Sequence, residues 1–412
     1  MATLVLKFGG SSVATPDRLQ RIADRIVAER RAGNDLVVVV SAMGDTTDDL
    51  LTLARAVCPD PFRRHPRELD MLLSAGERIS MALLAMSIRE RGEEAVSFTG
   101  SQAAIITDTM HTGARILEIR ADRVREALSR GRIAIVAGFQ GVSQEREVTT
   151  LGRGGSDTTA VALAAALAAS RCDIYTDVDG VFTADPRRVP TARRIDDLDY
   201  EEMLELACSG AQVLHPRAVE IGARFGVPLR VLSSFHPGSE HGTRIARRER
   251  GMEELVLTGL ASRAGFARLI LHGLPAGMRS TAEVLRRLAE ASISVDMVSE
   301  ADRSDGRRQL QLSLLAESLA DAKAICESVL AEQGGHGLEV RSGLARIALV
   351  GTGMHGRPGV YSRAYEVLLA AGVEVHGLST SSISISLLVD EGQEDVALRT
   401  LHDAFGLGEG SR

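Results

Sequence analysis

Residues 3–40, TLVLKFGGSSVATPDRLQRIADRIVAERRAGNDLVVVV, decide the fold class because they contain two strands and the helix between them. The first apolar strand, residues 3–8, ends at two glycines. Thr15 is a helix cap followed by proline at the first helical position, and Gly33 closes the apolar-striped helix. Residues 36–40 are a continuous apolar run, which is typical of a parallel strand covered on both faces. The stretch therefore predicts a strand–helix–strand unit of an α/β sheet.

The same alternation of strands and helices continues to about residue 235. We expect its further elements at these positions: a helix over residues 69–91, a strand near 133–137, a hairpin-like interruption at 142–150, a helix after Ser156, and strands near Ile174 and 229–232. This rhythm predicts an open α/β sandwich.

The composition changes over residues 236–254, where proline, glycine, arginine and glutamate replace the apolar runs. Beyond this boundary the chain repeats itself, since ARLILHG at residues 267–273 resembles ARIALVG at residues 345–351. Each copy continues with an amphipathic helix and a β-branched strand, so both predict the ferredoxin-like order βαββαβ. Two such repeats suggest a regulatory ligand module, and a structural or dimerising role is the alternative. The predicted domains are residues 1–250, 262–335 and 344–406.

Composition excludes several classes of function. The formal charge of −7 argues against a nucleic-acid or anionic-membrane partner, which would require a basic face. The four cysteines form no CxxC pair and are interpreted as reduced thiols of an intracellular protein. The histidines show no HExxH spacing, so we expect no built-in metal site. The most apolar helix candidate, residues 160–169, is too short to span a bilayer, so we expect a cytoplasmic protein.

The segment KFGGSS, residues 7–12, places a lysine and two glycines at the end of the first strand. Glycines there let successive backbone N–H groups turn toward one anion, and Lys7 adds a full positive charge. The Walker A pattern is absent, so any nucleotide fold is of another kind. A tight structural turn is the alternative interpretation of this segment.

A second glycine-rich loop, GRGGSD at residues 152–157, runs directly into a helix. A helix N-terminus preceded by glycines is an anion site, and Arg153 offers a planar fork suited to a carboxylate. The alternative is an ordinary loop with a helix cap at Ser156 or Asp157. Two such loops in one sheet domain favour anion binding.

Three further segments carry polar groups at positions that suit a ligand. SAMGDTT, residues 41–47, follows a buried strand, and open α/β sheets bind ligands at the carboxyl ends of strands. Glu77 lies within a helix, where it would usually be solvated but could meet an ammonium group. The acid-rich turns of TDVDGVFTADPR, residues 176–187, suit contacts to a ribose and to phosphates that carry Mg²⁺.

Together these motifs resemble the aspartate kinase family of the amino-acid kinase superfamily. The resemblance covers essentially the whole chain, and the two C-terminal repeats resemble ACT domains. It implies an amino-acid-kinase-type open α/β sandwich followed by two ferredoxin-like ACT repeats. The motifs that carry it are KFGGSSV (7–13), SAMGDTTDDL (41–50), AGERIS (75–80), FTGSQA (98–103), AGFQGV (137–142), TTLGRGGSDTTA (149–160), TDVDGVFTADPR (176–187) and VLHPRAVE (213–220).

The resemblance implies ATP-dependent phosphorylation of the L-aspartate side chain to 4-phospho-L-aspartate, the first step toward lysine, threonine and methionine. Mg²⁺ would be carried with ATP. The substrate carboxylate titrates near pH 4, so it is already ionised at neutral pH and needs no general base. The difficulty is to bring this anion to the γ-phosphate of ATP, so cations and amides must carry the catalysis.

The resemblance also implies roles for individual residues. Lys7 would contact the transferred phosphate, Arg153 the α-carboxylate of aspartate and Glu77 its α-ammonium group. Asp157 would orient the cationic groups and Mg²⁺. Family members often carry lysine where Gln212 stands. The remaining implied contacts are Ser41, Thr47, Gly154 and Ser156 for aspartate or phosphate, and Phe8, Gly9, Gly10, Thr176, Asp177, Phe182, Asp185 and Arg187 for the nucleotide.

Family members typically bind lysine or threonine where the two ACT repeats meet. By resemblance the contacts would be Ser294, Asp296, Glu300, Met354, Pro358, Gly359, Glu374 and Ser382. The first repeat lacks the family's usual proline–glycine turn, and Glu300 would repel the carboxylate of an effector. We therefore expect feedback control to be altered or lost, either because the repeats serve only assembly or because they accept another ligand.

Two alternatives to this activity remain open from the sequence. The chain could phosphorylate another acidic substrate, or it could be an inactive amino-acid sensor, although every charged group that the chemistry requires is present. We expect a homo-oligomer formed through the ACT repeats, or assembly with a separate regulatory chain. The sequence leaves open whether translation also starts at Met252, which would give a free regulatory chain as in some relatives.

Overall fold

The computed structural model describes residues 2–236, 242–248, 256–352, 354 and 359–408. These residues form two compact units. The first contains Met1–Phe182, Arg194–Cys208 and Gln212–Arg250, and the second contains Thr183–Arg193, Ser209–Ala211 and Gly251–Arg412. The segment Thr183–Arg193 thus leaves the predicted first domain and packs within the second unit.

The elements of the first unit alternate as the sequence predicts. They are β1 (Thr3–Phe8), α1 (Pro16–Arg31), β2 (Asp35–Val40), α2 (Thr46–Val57), α3 (Pro61–Arg64), α4 (Pro66–Leu73), α5 (Ala75–Arg89), β3 (Ala95–Phe98), β4 (Ile105–Thr107), β5 (Ile116–Ile119), α6 (Asp122–Ser129), β6 (Ile133–Ala137), β7 (Gln140–Ser143), β8 (Val148–Thr150), α7 (Gly155–Ala166), β9 (Arg171–Thr176), β10 (Asp197–Leu198), α8 (Tyr200–Ser209), α9 (Pro216–Phe225), β11 (Leu229–Ser233) and β12 (Thr243–Ile245).

An eight-stranded sheet forms the centre of this unit, in the order β10-β12-β11-β9-β1-β2-β6-β3. Strands β1, β2, β3, β6, β9 and β11 are parallel, and only the edge pair β10 and β12 runs against them. The apolar runs of β1 and β2 are fully buried on both faces, as predicted. A smaller sheet, β5-β4-β7-β8, contains the predicted hairpin between β7 and β8.

The first helix confirms its sequence prediction in detail. The Thr15 side chain accepts a hydrogen bond from the backbone N–H of Arg18 at 3.3 Å, and Pro16 occupies the first helical position. The apolar stripe of α1 is buried, and the helix packs against α5. The cap and the proline therefore fix the start of α1, and the apolar stripe determines which face of the helix is buried.

The single helix predicted over residues 69–91 is instead two helices, α4 and α5, which meet at Ser74. The carbonyl of Ser74 accepts a hydrogen bond from the buried Gln140 side chain at 2.9 Å. By length and composition alone, Pro66–Arg89 could cross a membrane, with a mean hydropathy of 1.4. This run, rather than residues 160–169, is the long apolar stretch of the described chain, and α5 packs against α1, β3 and β6.

The second unit contains the two predicted ferredoxin-like repeats. Its elements are β13 (Val256–Pro275), α10 (Met278–Glu290), β14 (Val295–Asp302), β15 (Arg307–Leu315), α11 (Leu319–Gln333), β16 (Gly337–Thr352), α12 (Val360–Ala370), β17 (Val375–Thr380), β18 (Ser384–Asp390) and α13 (Glu394–Ala404), with one 3-10 turn before α11 and another before α13. All strands share one six-stranded sheet, in the order β14-β15-β13-β16-β18-β17.

The closing strand of the second repeat differs from the sequence prediction. Strands β13 and β16 pair antiparallel along their length, from Val256 opposite Thr352 to His272 opposite Gly337. The first half of β13 therefore completes the second repeat, although it precedes both repeats in the chain. The prediction that residues 344–406 supply all six elements of their own repeat was wrong. The backbone groups along the edge of β16 need hydrogen-bond partners, and β13 supplies them.

Candidate active site

A pocket of about 450 Å³ opens at the carboxyl ends of β1 and β2 in the first unit. Parallel strands bring their carboxyl ends to one edge of the sheet, so residues that are distant in sequence meet there. The pocket is lined by Lys7, Gly9, Gly10, Ser41, Ala42, Gly44, Thr47, Asp48, Leu51, Phe62, Leu73, Glu77, Thr112, Phe139, Thr150, Gly152, Arg153, Gly154, Gly155, Ser156 and Asp157. The structure thus brings together every predicted contact for aspartate.

Lys7 and Asp157 form an ion pair in this pocket, with Nζ 2.6 Å from Oδ1. Lys7 lies near the end of β1, between β2 and β9, and Asp157 lies in the first turn of α7. Both residues are buried. Because the pair is screened little by solvent, the ammonium group is held in place beside the N-terminus of α7.

The glycine turn after β1 refines two predictions. The N–H of Gly9 donates to the Tyr175 carbonyl at 3.3 Å, so it is already engaged in the protein. A Cβ on Gly10 would lie 3.0 Å from the Ala42 carbonyl oxygen, so the close backbone approach there requires glycine. The Phe8 side chain is fully buried and stacks on the Tyr175 ring at 4.7 Å, so any contact of Phe8 with the nucleotide would be through its backbone.

The second glycine loop presents Arg153 to the pocket. Gly154 has a φ of +68°, and a Cβ there would lie 2.1 Å from Cγ of His215, so only glycine fits. Arg153 is exposed, and within the described ranges of the chain no carboxylate pairs with it. Ser156 is buried at the start of α7. This arrangement leaves a guanidinium group free to bind an anion.

Glu77 is the most unusual group in the pocket. It lies in the first turn of α5 and is 3% exposed. One carboxylate oxygen accepts a hydrogen bond from the N–H of Ala42 at 3.3 Å, whereas Oε2 is buried without a hydrogen-bond partner. Burial raises the pKa of this carboxyl to about 7, although the N–H of Ala42 opposes the shift. An uncompensated buried carboxylate is suited to a cationic ligand.

Several pocket residues were missed by the sequence analysis. Phe139, Thr112 and Thr150 line the pocket, and Asp70 lies buried behind the two threonines. His215 contacts the glycine loop, and burial lowers its pKa, although Asp157 opposes the shift. The motifs around Phe139 and His215 were recognised, but a motif does not say which of its side chains faces a ligand.

The predicted nucleotide contacts divide between the two units. Thr176 and Asp177 lie at the end of β9, where the Thr176 hydroxyl donates to Asp177 at 3.0 Å, and Phe182 also belongs to the first unit. Asp185 and Arg187 belong to the second unit and pair with each other at 2.8 Å. Hydrogen bonds from Arg187 lower the pKa of Asp185. Their predicted role with the nucleotide stays a prediction.

Two of the three acids predicted to bind an effector already form ion pairs with arginines. Asp296 forms an ion pair with Arg346, and Glu300 forms one with Arg308, whose guanidinium also bonds Asp302 at 2.8 Å. Because Glu300 and Asp302 share the single guanidinium group of Arg308, one negative charge remains, and the repulsion of an effector carboxylate by Glu300 stays a prediction.

The other predicted effector contacts vary in their surroundings. Glu374, Ser294 and Ser382 are exposed, and Met354 is buried. Gly359 precedes α12 with a φ of +107°. Pro358 and Met252 lie outside the described residues.

One cluster of the second unit has the side chains of a metal site. Ligand atoms of Glu374, His376 and Asp390 all lie within 4.8 Å of one another. The guanidinium of Arg341 already bonds Asp390 at 2.9 Å and 3.1 Å. A cation at this cluster would therefore compete with an internal arginine.

Comparison with known proteins gives one consistent result. A model of the amino acid kinase family matches residues 2–233, and an ACT domain model matches residues 347–405. The chain is 48% identical over 411 residues to an aspartokinase of Mycolicibacterium smegmatis. The matched region covers 99% of this chain and 97% of that protein.

Two solved structures of E. coli aspartokinase III are similar to the whole chain. One, in complex with aspartate and ADP in the R state, has a TM-score of 0.82 at 30% identity and covers 97% of this chain and 99% of that one. The other, in complex with lysine and aspartate in the T state, has a TM-score of 0.73 at 29% identity and covers 97% and 98%.

Proposed function

We propose a residue-level mechanism on the premise that the chain belongs to the amino acid kinase family and, within it, to the aspartokinases. The enzyme transfers the γ-phosphate of ATP to the side-chain carboxylate of L-aspartate, which gives 4-phospho-L-aspartate and ADP. The observation that carries the mechanism is the pocket that combines the unpartnered oxygen of Glu77 with the free guanidinium of Arg153.

Glu77 and Arg153 bind the two ends of the substrate's amino-acid group. The α-ammonium group of aspartate supplies the missing partner of Glu77 Oε2, and this contact favours the ionised carboxylate. Arg153 binds the α-carboxylate through its planar fork. Ser41, Thr47, Gly154 and Ser156 complete the wall around the bound amino acid. The side-chain carboxylate of the substrate is then the group left to react.

Lys7 stabilises the phosphoryl group during transfer. Its ammonium group lies beside the N-terminus of α7, so the charge of Lys7 and the positive end of the helix dipole converge on one place. Asp157 holds the ammonium group in that position. No general base is required, because the attacking carboxylate is already ionised at neutral pH.

ATP is the co-substrate, and Mg²⁺ arrives with it as part of the substrate. The pocket offers the carboxylate oxygens that this hard cation prefers, and Asp157 is the residue we assign to orient it. We assign the nucleotide to the backbone of Gly10 and to Thr176, Asp177 and Phe182. Asp185 and Arg187 are kept as further contacts, to be tested through the KM for ATP.

The proposal extends to regulation, assembly and location. The E. coli relative in complex with lysine supports lysine as a candidate effector, and threonine is the alternative. In this chain the internal ion pairs of Asp296 and Glu300 support altered or lost feedback. Assembly through the ACT repeats and a cytoplasmic location complete the proposal.

An ATP-dependent hydroxamate assay tests the substrate. Hydroxylamine traps the acyl phosphate, so the assay reports phosphorylation of a carboxylate directly. Aspartate should give the product, whereas glutamate and acetylglutamate should not. Equal rates with glutamate would contradict the assignment of the pocket to aspartate.

A further inference from the structure

Asp70 is a buried carboxylate that the proposed mechanism does not use. It lies in α4 and is fully buried. Within the part of the chain that the structure describes, no lysine or arginine pairs with it, and the imidazole of His111 lies within hydrogen-bond distance. A buried carboxylate is costly unless it accepts several hydrogen bonds, so its surroundings must supply them.

Two separate segments supply these hydrogen bonds. From the connection between β4 and β5, His111 Nδ1 lies 2.8 Å from Oδ2, and the N–H of Thr112 donates to both oxygens at 3.0 Å and 3.1 Å. From the end of β8, the Thr150 hydroxyl donates to Oδ1 at 2.5 Å. Asp70 therefore joins α4 to two walls of the pocket.

Thr112 is in an unfavourable backbone conformation. Its φ is +64°, in the left-handed region that β-branched residues rarely adopt. Such a conformation persists only where the surroundings determine it. Both oxygens of Asp70 accept the N–H of this residue, so Asp70 is the group that holds the strained turn.

The strained turn lies against the loop that carries Arg153. A Cβ on Gly152 would be only 3.1 Å from the Thr112 carbonyl oxygen, which shows how close the two backbones are. Next to it, the N–H of Ala114 donates to the Thr150 carbonyl at 2.9 Å. Thr112 and Thr150 both line the pocket. The position of Arg153 therefore depends on a turn that Asp70 holds.

We propose that Asp70 is a positioning residue for aspartate binding, which holds Thr112 and Thr150 in place and thereby directs Arg153 at the α-carboxylate of the substrate. The inference rests on the proposed function of Arg153. It adds a residue that touches neither substrate nor nucleotide.

Steady-state kinetics of Asp70→Asn test the proposal. The amide keeps the size of the side chain, but it has no negative charge and only one oxygen that can accept hydrogen bonds. It therefore cannot replace the carboxylate toward His111, Thr112 and Thr150 together. The KM for aspartate should rise about 10- to 100-fold, because a small misplacement of a binding group is costly, while the KM for ATP changes less than about twofold. An unchanged KM for aspartate would overturn the proposal.

Asp173→Asn is the matched control. Asp173 is as deeply buried as Asp70, but it bonds Arg171 and Arg230 and does not line the pocket. This variant should lose thermal stability without a selective rise in the KM for aspartate. If both variants showed the same selective rise in the KM for aspartate, the effect of Asp70→Asn would reflect a general loss of stability and not the position of Arg153.

A second substitution isolates the strained turn. Glycine adopts positive φ without strain, so Thr112→Gly in the Asp70→Asn background should recover part of the lost aspartate affinity. A double variant no better than Asp70→Asn alone would contradict the route through Thr112. Wild-type enzyme without aspartate-dependent activity would contradict the proposed function, whereas normal kinetics in Asp70→Asn would contradict only this inference.

Discussion

The catalytic pocket and the ACT repeats treat their charged groups in opposite ways. In the pocket, Glu77 keeps a buried oxygen without a hydrogen-bond partner, and Arg153 has no carboxylate partner among the described residues. In the repeats, two of the acids at the predicted effector positions are paired with arginines of the same chain: Asp296 with Arg346, and Glu300 with Arg308.

This difference separates a surface that needs a ligand from one that does not. A buried polar group without a partner costs free energy, so it persists where a ligand supplies the missing contact. An acid that already bonds an internal guanidinium gains little from a second cation. The comparison therefore predicts strong dependence of catalysis on the pocket charges and weak dependence of activity on amino-acid effectors.

The largest effect is expected from Lys7→Ala. Removing the ammonium group beside α7 should lower kcat by about three orders of magnitude, because the transferring phosphoryl group loses a preorganised cation. Lys323→Ala is the control, since Lys323 is exposed and pairs with Glu327 at 3.7 Å in α11. If Lys7→Ala kept more than about a tenth of the turnover, Lys7 would be part of a structural turn.

Glu77→Gln and Arg153→Lys should give the next largest effects. Each should raise the KM for aspartate about 10- to 100-fold with little change for ATP, because one loses a counter-charge and the other a bidentate fork. Glu118→Gln serves as control, because Glu118 is exposed and bonds Arg120 at 3.2 Å. Effects limited to the KM for ATP would contradict both assignments and would place Glu77 and Arg153 at the nucleotide instead of at aspartate.

The smallest effect is expected from effectors. Lysine, threonine or both at about 1 mM should change the rate less than about twofold, which is below the usual range of allosteric coupling. Arg346→Gln sharpens this test, because it removes the guanidinium group that bonds Asp296 and should increase inhibition by lysine. Strong inhibition of the wild-type enzyme by sub-millimolar lysine would contradict the claim that the ACT repeats, unlike the catalytic pocket, need no ligand.

The fold could be predicted largely from local patterns. The strand–helix–strand unit at residues 3–40 carries its own cap, proline and apolar stripe, and all three are observed. The closing strand of the second repeat could not be predicted, because it depends on the long-range pairing of β13 with β16. The local sequence of residues 256–263 does not indicate that their partner strand is β16, which lies about 80 residues later in the chain.

The site shows the same division. Lys7, Glu77, Arg153 and Asp157 were recognised by residue type and motif, and the structure places them in one pocket. Asp70 was missed because its importance comes from donors about 40 and 80 residues away, which only the fold brings together.

Calorimetry of L-aspartate binding, with a non-hydrolysable ATP analogue at pH 7 in two buffers of different ionisation enthalpy, tests the central claim most directly. Burial raises the pKa of Glu77 to about 7, so the carboxyl is about half protonated when free and ionised when it meets the ammonium group of the substrate. The wild-type enzyme should therefore release a fraction of a proton for each aspartate bound, and Glu77→Gln should release markedly less. Equal proton release by both proteins, or tight binding by the wild type without release, would contradict the assignment of Glu77 to the substrate.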